Sequence, residues 1–271
     1  KVCPDSVGKK TLPSRDDAAP AREFIRDNAD VTITDSYLVN GTYQRRLREV
    51  SPLIVVADDT RHRIAADILI NGNLYAPALD YRVIDEDPNW CLGPEYLLLR
   101  SAITDYASRD PPWRNPPSHA IVTMGGSDVA ELTPTVIRAF EGFDLRVEAI
   151  VGPGFSSTQE ARIEKVANSV TADIHIVRDP PDLPERMFQA DFAVTTASTT
   201  SYELLALGTP TVCLPVVENQ NLIADTLHAQ EVATVLSHNA DKVTFAEAID
   251  QYVQEPGLRR ARQEAGRRLI D

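Results

Sequence analysis

Three short polar segments carry residue types from which a phosphate- and hydroxyl-binding site can be built. The first lies in AIVTMGGSD, residues 120–128, an apolar β-prone run that stops at Gly125, Gly126, Ser127 and Asp128 and then enters a helix-like stretch. Bare backbone between a strand and a helix lets a phosphate approach main-chain N–H groups at the positive end of the helix dipole. The same residues would also make a tight turn that needs glycine torsions, and two glycines specify less than a full Walker or dinucleotide fingerprint. The second segment, TASTTSYE (196–203), offers the hydroxyls of Ser198, Thr199 and Thr200 and the carboxylate of Glu203. Thr200 and Glu203 also stand in the S/T-x-x-E relation of a capping box, in which Glu203 would bond its own helix N-terminus. The third, PVVENQN (215–221), adds Glu218, Asn219 and Gln220; here Asn219 could act only as an N-cap. Together they suit a phosphorylated, hydroxyl-rich ligand better than an apolar one.

The elements that must position these segments can be read from periodicity. From residue 118 on, strand-like runs AIVTM (120–124), RVEAIVG (146–152), DIHIV (173–177), FAVTT (192–196), TVCL (211–214) and VATVL (232–236) alternate with stretches of helical spacing. Such alternation implies right-handed βαβ units and a parallel sheet with helices on both faces, where ligands sit at the carboxyl ends of the strands. The three polar segments follow the first, fourth and fifth strands, so all three should project from one sheet edge. Upstream, VTITD (31–35), YQRRLREV (43–50), LIVVADD (53–59) and ADILIN (66–71) repeat the alternation, followed by an aromatic, turn-rich stretch and PEYLLLRSAI (94–103). RDPPWRNPPSH (109–119) has four prolines in eleven residues and reads as a linker. The expected organisation is therefore a first α/β domain over 1–108, a linker over 109–117 and a nucleotide-binding α/β domain over 118–271.

Composition bounds the partners. The chain has 271 residues and a net charge of −13, with 24 Asp and 22 Arg against five Lys. That field disfavours nucleic acid or an anionic membrane as a partner. Many short carboxylates with few lysines also suit concentrated salt, where screening removes their repulsion, so a halophilic source is expected. No run of eighteen apolar residues is present, and KVCPDSVGKK at the start has no signal-peptide core. Cys3, Cys91 and Cys213 are far apart, which argues against zinc or disulfides and for a reducing, cytoplasmic setting. His62, His119, His175, His228 and His238 show no metal-ligand spacing. The arginines of LRRARQEAGRRLID (258–271) read as the solvated face of a terminal helix.

DSY (35–37), ADD (57–59), ADILINGN (66–73), LGPEYLLLR (92–100), TMGGSD (123–128), ADFAVTTASTTSYELLALGTP (190–210) and ENQ (218–220) occur in this order. The series resembles the UDP-2,4-diacetamido-2,4,6-trideoxy-β-L-altropyranose hydrolases of the pseudaminic-acid pathway and their relatives in spore-coat polysaccharide synthesis. The C-terminal half alone also resembles the lipid-linked muramyl-peptide GlcNAc transferase and other glycosyltransferases of the two-Rossmann-domain (GT-B) fold. The resemblance implies a UDP-sugar substrate, with no metal and no further cofactor. It places Gly125, Gly126 and Ser127 by the diphosphate, with Ser198, Thr199 and Thr200 also facing the phosphates. Glu203 would hold the ribose hydroxyls, Glu218, Asn219 and Gln220 would lie towards the sugar, and Tyr37 would sit across the cleft on the first domain.

Two departures qualify what the resemblance implies. The family usually has glycines where this chain has Ala197, Ser198 and Thr199, and its first strand leads to a Gly-x-Gly-His-x-x-Arg loop whose histidine is the expected general base. That motif is absent here, as is an initiator methionine. The expectation is a first Rossmann-like domain lacking its initial βα units, or a lineage that has lost the base. If the base lies within the chain, Asp59, His62 and Tyr37 are the first candidates. Three activities follow: hydrolysis of a UDP-sugar, glycosyl transfer to an alcohol acceptor, and nucleotide-sugar binding without catalysis. An exposed apolar patch on the first domain would favour transfer.

Overall fold

The structure, a computed structural model, describes residues 18–270. The chain forms one compact unit up to Leu98 and a second from Leu99 on.

In the first unit, β1 (Thr32–Asp35), β2 (Leu53–Val56), β3 (Ile68–Asn71) and β4 (Asn89–Leu92) form a parallel sheet in that order. Helices α1 (Ala19–Asn28) and α2 (Gly41–Arg48) supply Ile25 and Leu47 to a core shared with Leu53, Val55 and Leu69. The side chain of Asn40 accepts from the Tyr43 N–H and starts α2. β4 falls in the stretch whose pattern read as turns, because NWCL is exposed or half-buried and shows no apolar alternation. Pairing with β3 makes it a strand.

The second unit begins with α3 (Ser101–Ala107) and holds six parallel strands: β5 (His119–Thr123), β6 (Arg146–Val151), β7 (Asp173–Arg178), β8 (Phe192–Thr196), β9 (Thr211–Leu214) and β10 (Thr234–Val235). Their order is β10-β9-β8-β5-β6-β7. The chain winds outward from β5 to β7, returns to pair β8 against the other side of β5 and winds outward again. The switch point of this doubly wound sheet therefore lies between β5 and β8, the place at whose carboxyl end sheets of this kind bind their ligands.

Period two within β5 sends Ala120 and Val122 to one face and Ile121 to the other. The first face packs on α4 (Thr133–Ala139) and α9 (Lys242–Gln254) through Val136, Phe140, Phe245 and Tyr252. The second packs on α3, α6 (Leu183–Gln189) and α7 (Thr199–Leu207) through Ile103, Met187 and Leu204. Burial on both faces accounts for the unbroken run FAVTT in β8.

The proline-rich segment lies inside the second unit, so the division falls at Leu98 rather than at the expected linker 109–117. Its prolines exclude helix and strand, but its side chains and carbonyls are tied down. Arg114 reaches Asp191 and the Gln189 carbonyl. Trp113 lies against the guanidinium groups of Arg259 and Arg260, at 4.9 and 4.4 Å. Both arginines belong to α10 (Pro256–Ile270). Arg259 donates to the Arg114 carbonyl at 2.9 Å and is fully buried, so the reading of this cluster as a solvated face is corrected at that residue.

Candidate functional site

The loop after β5 separates residues the fold requires from one it does not. Gly125 has φ +76°, a left-handed conformation that favours glycine. The Gly126 carbonyl accepts from the Gly154 N–H at 2.8 Å, and the Ser127 and Asp128 carbonyls accept from Gln159 Nε2 on α5 (Ser157–Ala167). A Cβ at Gly152 would lie 2.6 Å from the Gly126 oxygen, so Gly152 is needed for this close approach of two loops. At Gly126 a Cβ would meet nothing within 4 Å, and its φ lies outside the left-handed region. Neither torsion nor packing calls for glycine there, and the residue is exposed.

Asp128 serves the fold. It is buried, and its carboxylate accepts from the Leu132 and Thr133 N–H groups, both at 2.9 Å, ahead of α4. The helix behind GGSD thus has its leading donors engaged by the Asp128 carboxylate.

Across the switch point, the N-cap residue of α7 makes no side-chain cap, as is true of α8 (Asn221–Ala229) on the same edge. β8 ends at Thr196, the Ala197 N–H is held by the Leu214 carbonyl at 2.8 Å, and Ser198 occupies the N-cap position in extended conformation. No side chain caps the first turn, leaving leading N–H groups of the kind that bind anions. Thr199 is exposed and Thr200 half-buried on that turn. Glu203 is the fifth residue of α7, and its carboxylate accepts from Arg100 Nε at 2.8 Å and Nη2 at 3.0 Å. The capping box with Thr200 is not formed. Arg100, just ahead of α3, lies in LGPEYLLLR and had no role assigned from sequence.

β9 neighbours β8, so its loop emerges beside the other two. Glu218, Asn219 and Gln220 form a 3-10 turn before α8 (Asn221–Ala229). Glu218 and Asn219 are exposed, whereas Gln220 folds back to accept from the Val216 N–H at 2.8 Å. The N-cap position of α8 is occupied by Gln220, so Asn219 does not fill it. The second unit thus brings the sequence-derived residues to one edge of the sheet, but Asp128 and Gln220 are engaged within their own loops.

Tyr37 lies in the first unit, in a cleft at the carboxyl ends of β1 and β2 whose lining includes Asp35, Asp58, Asp59, Arg61 and His62. Its hydroxyl donates to the Asp58 carboxylate in a short hydrogen bond, and the Arg61 guanidinium lies over its ring at 4.7 Å. Asp58 also accepts, through its carbonyl, from the Tyr75 hydroxyl at 2.9 Å. Burial pushes the Asp59 carboxyl up, but hydrogen bonds and charge from Arg61 outweigh it and hold the group below its ordinary value. Tyr37, Asp59 and His62 therefore share one cleft, and Asp58, which the sequence reading quoted in ADD (57–59) without a role, joins them there.

Among the described residues no cluster of three or more His, Cys, Asp or Glu is arranged to hold a metal ion, and no helix is long and apolar enough to cross a membrane. Cys91 and Cys213 are free thiols, and Cys3 lies outside the described residues. Burial pushes the Cys213 thiol up to about 12, which leaves it unreactive.

No family model matches the chain. It is 26% identical over 215 residues to the spore coat polysaccharide biosynthesis protein SpsG of Bacillus subtilis, covering 76% of this chain and 61% of that protein. It is 24% identical over 217 residues to the uncharacterized protein MJ1062 of Methanocaldococcus jannaschii, covering 76% of this chain and 44% of that one. The chain thus spans less than two thirds of either relative. Among solved structures, MurG of Acinetobacter baumannii superposes with a TM-score of 0.63 at 11% identity, over 93% of this chain and 72% of that one. The spinosyn forosaminyltransferase SpnP gives 0.63 at 11% identity, over 93% and 74%. MnaA of S. aureus, solved with UDP, gives 0.61 at 12% identity, over 96% and 77%. The chain has the GT-B fold of two Rossmann-like domains, each built on a parallel sheet, and a relative in polysaccharide biosynthesis.

Proposed function

We propose that this chain binds a UDP-sugar through its second unit and carries out glycosyl transfer in the synthesis of a surface polysaccharide. The observation that carries the reading is the pairing, across one switch point, of a glycine that the fold does not explain, Gly126, with an α7 start that no side chain caps. Backbone N–H groups of Gly126 and of the first α7 turn, with the hydroxyls of Ser127, Ser198, Thr199 and Thr200, would take up the charge of UDP as it leaves. Glu203 would hold the ribose, and Glu218 and Asn219 would lie towards the sugar. In transfer, an acceptor hydroxyl oxygen forms the new bond to C1 of the sugar. The C1–O bond to UDP breaks with its electrons going to UDP, and the acceptor's proton passes to a base. The GT-B neighbours support transfer, as do Val31, Ile33 and Leu38, which stand exposed around β1 and would suit an acceptor with an apolar part.

Hydrolysis, with water in place of the acceptor, is the second reading. The polar cleft of Tyr37, Asp58, Asp59 and His62 supports it, since a base there need only deprotonate water. UDP binding by calorimetry, followed by UDP release from a UDP-sugar in EDTA with and without an added alcohol or lipid-linked acceptor, tests both. Release only with acceptor means transfer, release into water alone means hydrolysis, and binding without release means a nucleotide-sugar-binding protein. No UDP binding would overturn the proposal.

A further inference from the structure

The loop after β5 turns three successive carbonyls to one side. That of Gly126 accepts from the Gly154 N–H at 2.8 Å, and those of Ser127 and Asp128 accept from Gln159 Nε2 at 3.1 and 3.2 Å. Both donors belong to the segment that follows β6, Gly154 in its loop and Gln159 in the first turn of α5. In a planar trans peptide the N–H of each residue points opposite to the carbonyl before it. The N–H groups of Ser127, Asp128 and Val129 therefore point away from α5, and none of them has a hydrogen-bond partner among the described residues. Away from α5 and β6, the other neighbour of β5 is β8, which leads into α7. Asp128 holds φ +41°, a conformation that a non-glycine residue keeps only where its surroundings fix it. Gln159 supplies part of that fixing. Its other amide atom is engaged as well: Oε1 accepts from the Ser156 N–H at 2.8 Å and from the Ser156 hydroxyl at 2.9 Å.

A capping box uses the glutamine side chain only as an acceptor, a task that glutamate performs equally well. The amide donor of Gln159 adds nothing to the start of α5, since both its contacts fall on the loop 32 and 31 positions earlier in the chain. We infer that Gln159 is the positioning residue of that loop: by holding the Ser127 and Asp128 carbonyls towards α5, it turns the Asp128 and Val129 N–H groups outward, where successive backbone donors receive an anion. The anion is the diphosphate of the nucleotide, so the inference rests on the proposal that the second unit binds UDP. Gln159 itself touches no ligand and acts through the peptide planes. Without its Nε2 the two peptides can rotate, and a carbonyl oxygen turned outward would repel phosphate.

The test measures UDP and uridine binding by calorimetry on the unaltered chain, Gln159→Glu, Gln159→Leu and Ser156→Ala, with thermal unfolding of each. Gln159→Glu keeps the acceptor that caps α5 and replaces the donor with a carboxylate oxygen facing two carbonyls. Its UDP affinity should fall about tenfold or more, the size of a lost charge-assisted hydrogen bond, while its uridine affinity stays the same. Gln159→Leu should behave likewise with a lower unfolding temperature, because it loses the cap as well. Ser156→Ala removes the capping hydroxyl but leaves the Gln159 donor in place, so it should lower the unfolding temperature and keep UDP affinity. If both Gln159 variants fold and keep full UDP affinity, the residue only starts α5 and the inference is overturned alone. The same follows if UDP and uridine weaken alike, or if Ser156→Ala weakens UDP as much as Gln159→Glu does. If the unaltered chain binds no UDP, the nucleotide reading itself fails and takes the inference with it.

Discussion

Gly126 and Gly152 stand against each other in adjacent loops, but packing calls for glycine only at Gly152. A methyl on Gly152 would sit 2.6 Å from the Gly126 carbonyl oxygen, whereas one on Gly126 would enter open space. Gly152→Ala is therefore expected to destabilise the chain by about 1–3 kcal/mol, the range for forced overpacking. Gly126→Ala should change stability by less than about 0.5 kcal/mol, as at an unencumbered surface site. It should nonetheless weaken UDP roughly tenfold or more by keeping phosphate from the backbone. Thermal melts and calorimetry on the two variants check the contrast, and UDP affinity unchanged in Gly126→Ala would remove that residue from the site. Asp128 belongs with Gly152: Asp128→Ala should cost about 1–2 kcal/mol through its lost N–H acceptors. Most of that loss should appear as a lower unfolding midpoint in urea.

At the scale of elements, Glu148 on β6 joins the sheet to α6. Its carboxylate accepts from Arg146 at 2.9 Å and from Arg186 at 2.8 Å, and His119 on β5 lies 3.8 Å away. Burial pushes the Glu148 carboxyl up, but the Arg186 hydrogen bond and the surrounding positive charges outweigh it, leaving the pKa below the ordinary 4.5. Burial likewise lowers the His119 pKa below 6.5. Both groups take up protons more readily in the unfolded chain, so their stabilisation is full above the unfolded pKa and is lost as pH falls through the folded one. Stability of the second unit should begin to decline below about pH 6.5 through His119 and fall further below about 4.5 through Glu148. Glu148→Gln should flatten the lower part of this dependence, and by removing a carboxylate that favours the charged imidazole it should make the His119 part somewhat steeper. Urea unfolding midpoints between pH 3 and 8 measure it, and an unchanged slope below pH 4.5 in that variant would assign the acid loss to other groups.

For the whole molecule the governing quantity is the net charge of −13. Self-repulsion of that size destabilises the compact state and is relieved as salt shortens the screening length from about 10 Å at 0.1 M to about 3 Å at 1 M. The unfolding temperature is accordingly expected to rise between low and molar KCl, and a flat response would argue against adaptation to salt. The whole chain also shows why local pattern misplaced the division between units. Four prolines within 109–119 speak against helix and strand, but proline says nothing about whether a segment is packed. Trp113 and Arg114 find their partners on α10 and at Asp191. Meanwhile α3, read as part of the first block, shares its core with α6 and α7.

Alternation of apolar runs and helical spacing was sufficient to foresee a parallel α/β architecture, all six strands of the second unit, and three polar loops on one edge, because burial imposes its period on local sequence. β4 escaped because its residues are not deeply buried and so carry no such period. Strand order was legible only as a class. That β8 returns beside β5 and so sets GGSD and the start of α7 on neighbouring strands was decided by tertiary packing. The same holds for Glu203: its spacing to Thr200 matches a capping box, yet its partner is Arg100. Local spacing reports which groups could meet along the chain; which of them do meet depends on partners brought in from distant sequence, and those are chosen by the packing of whole elements.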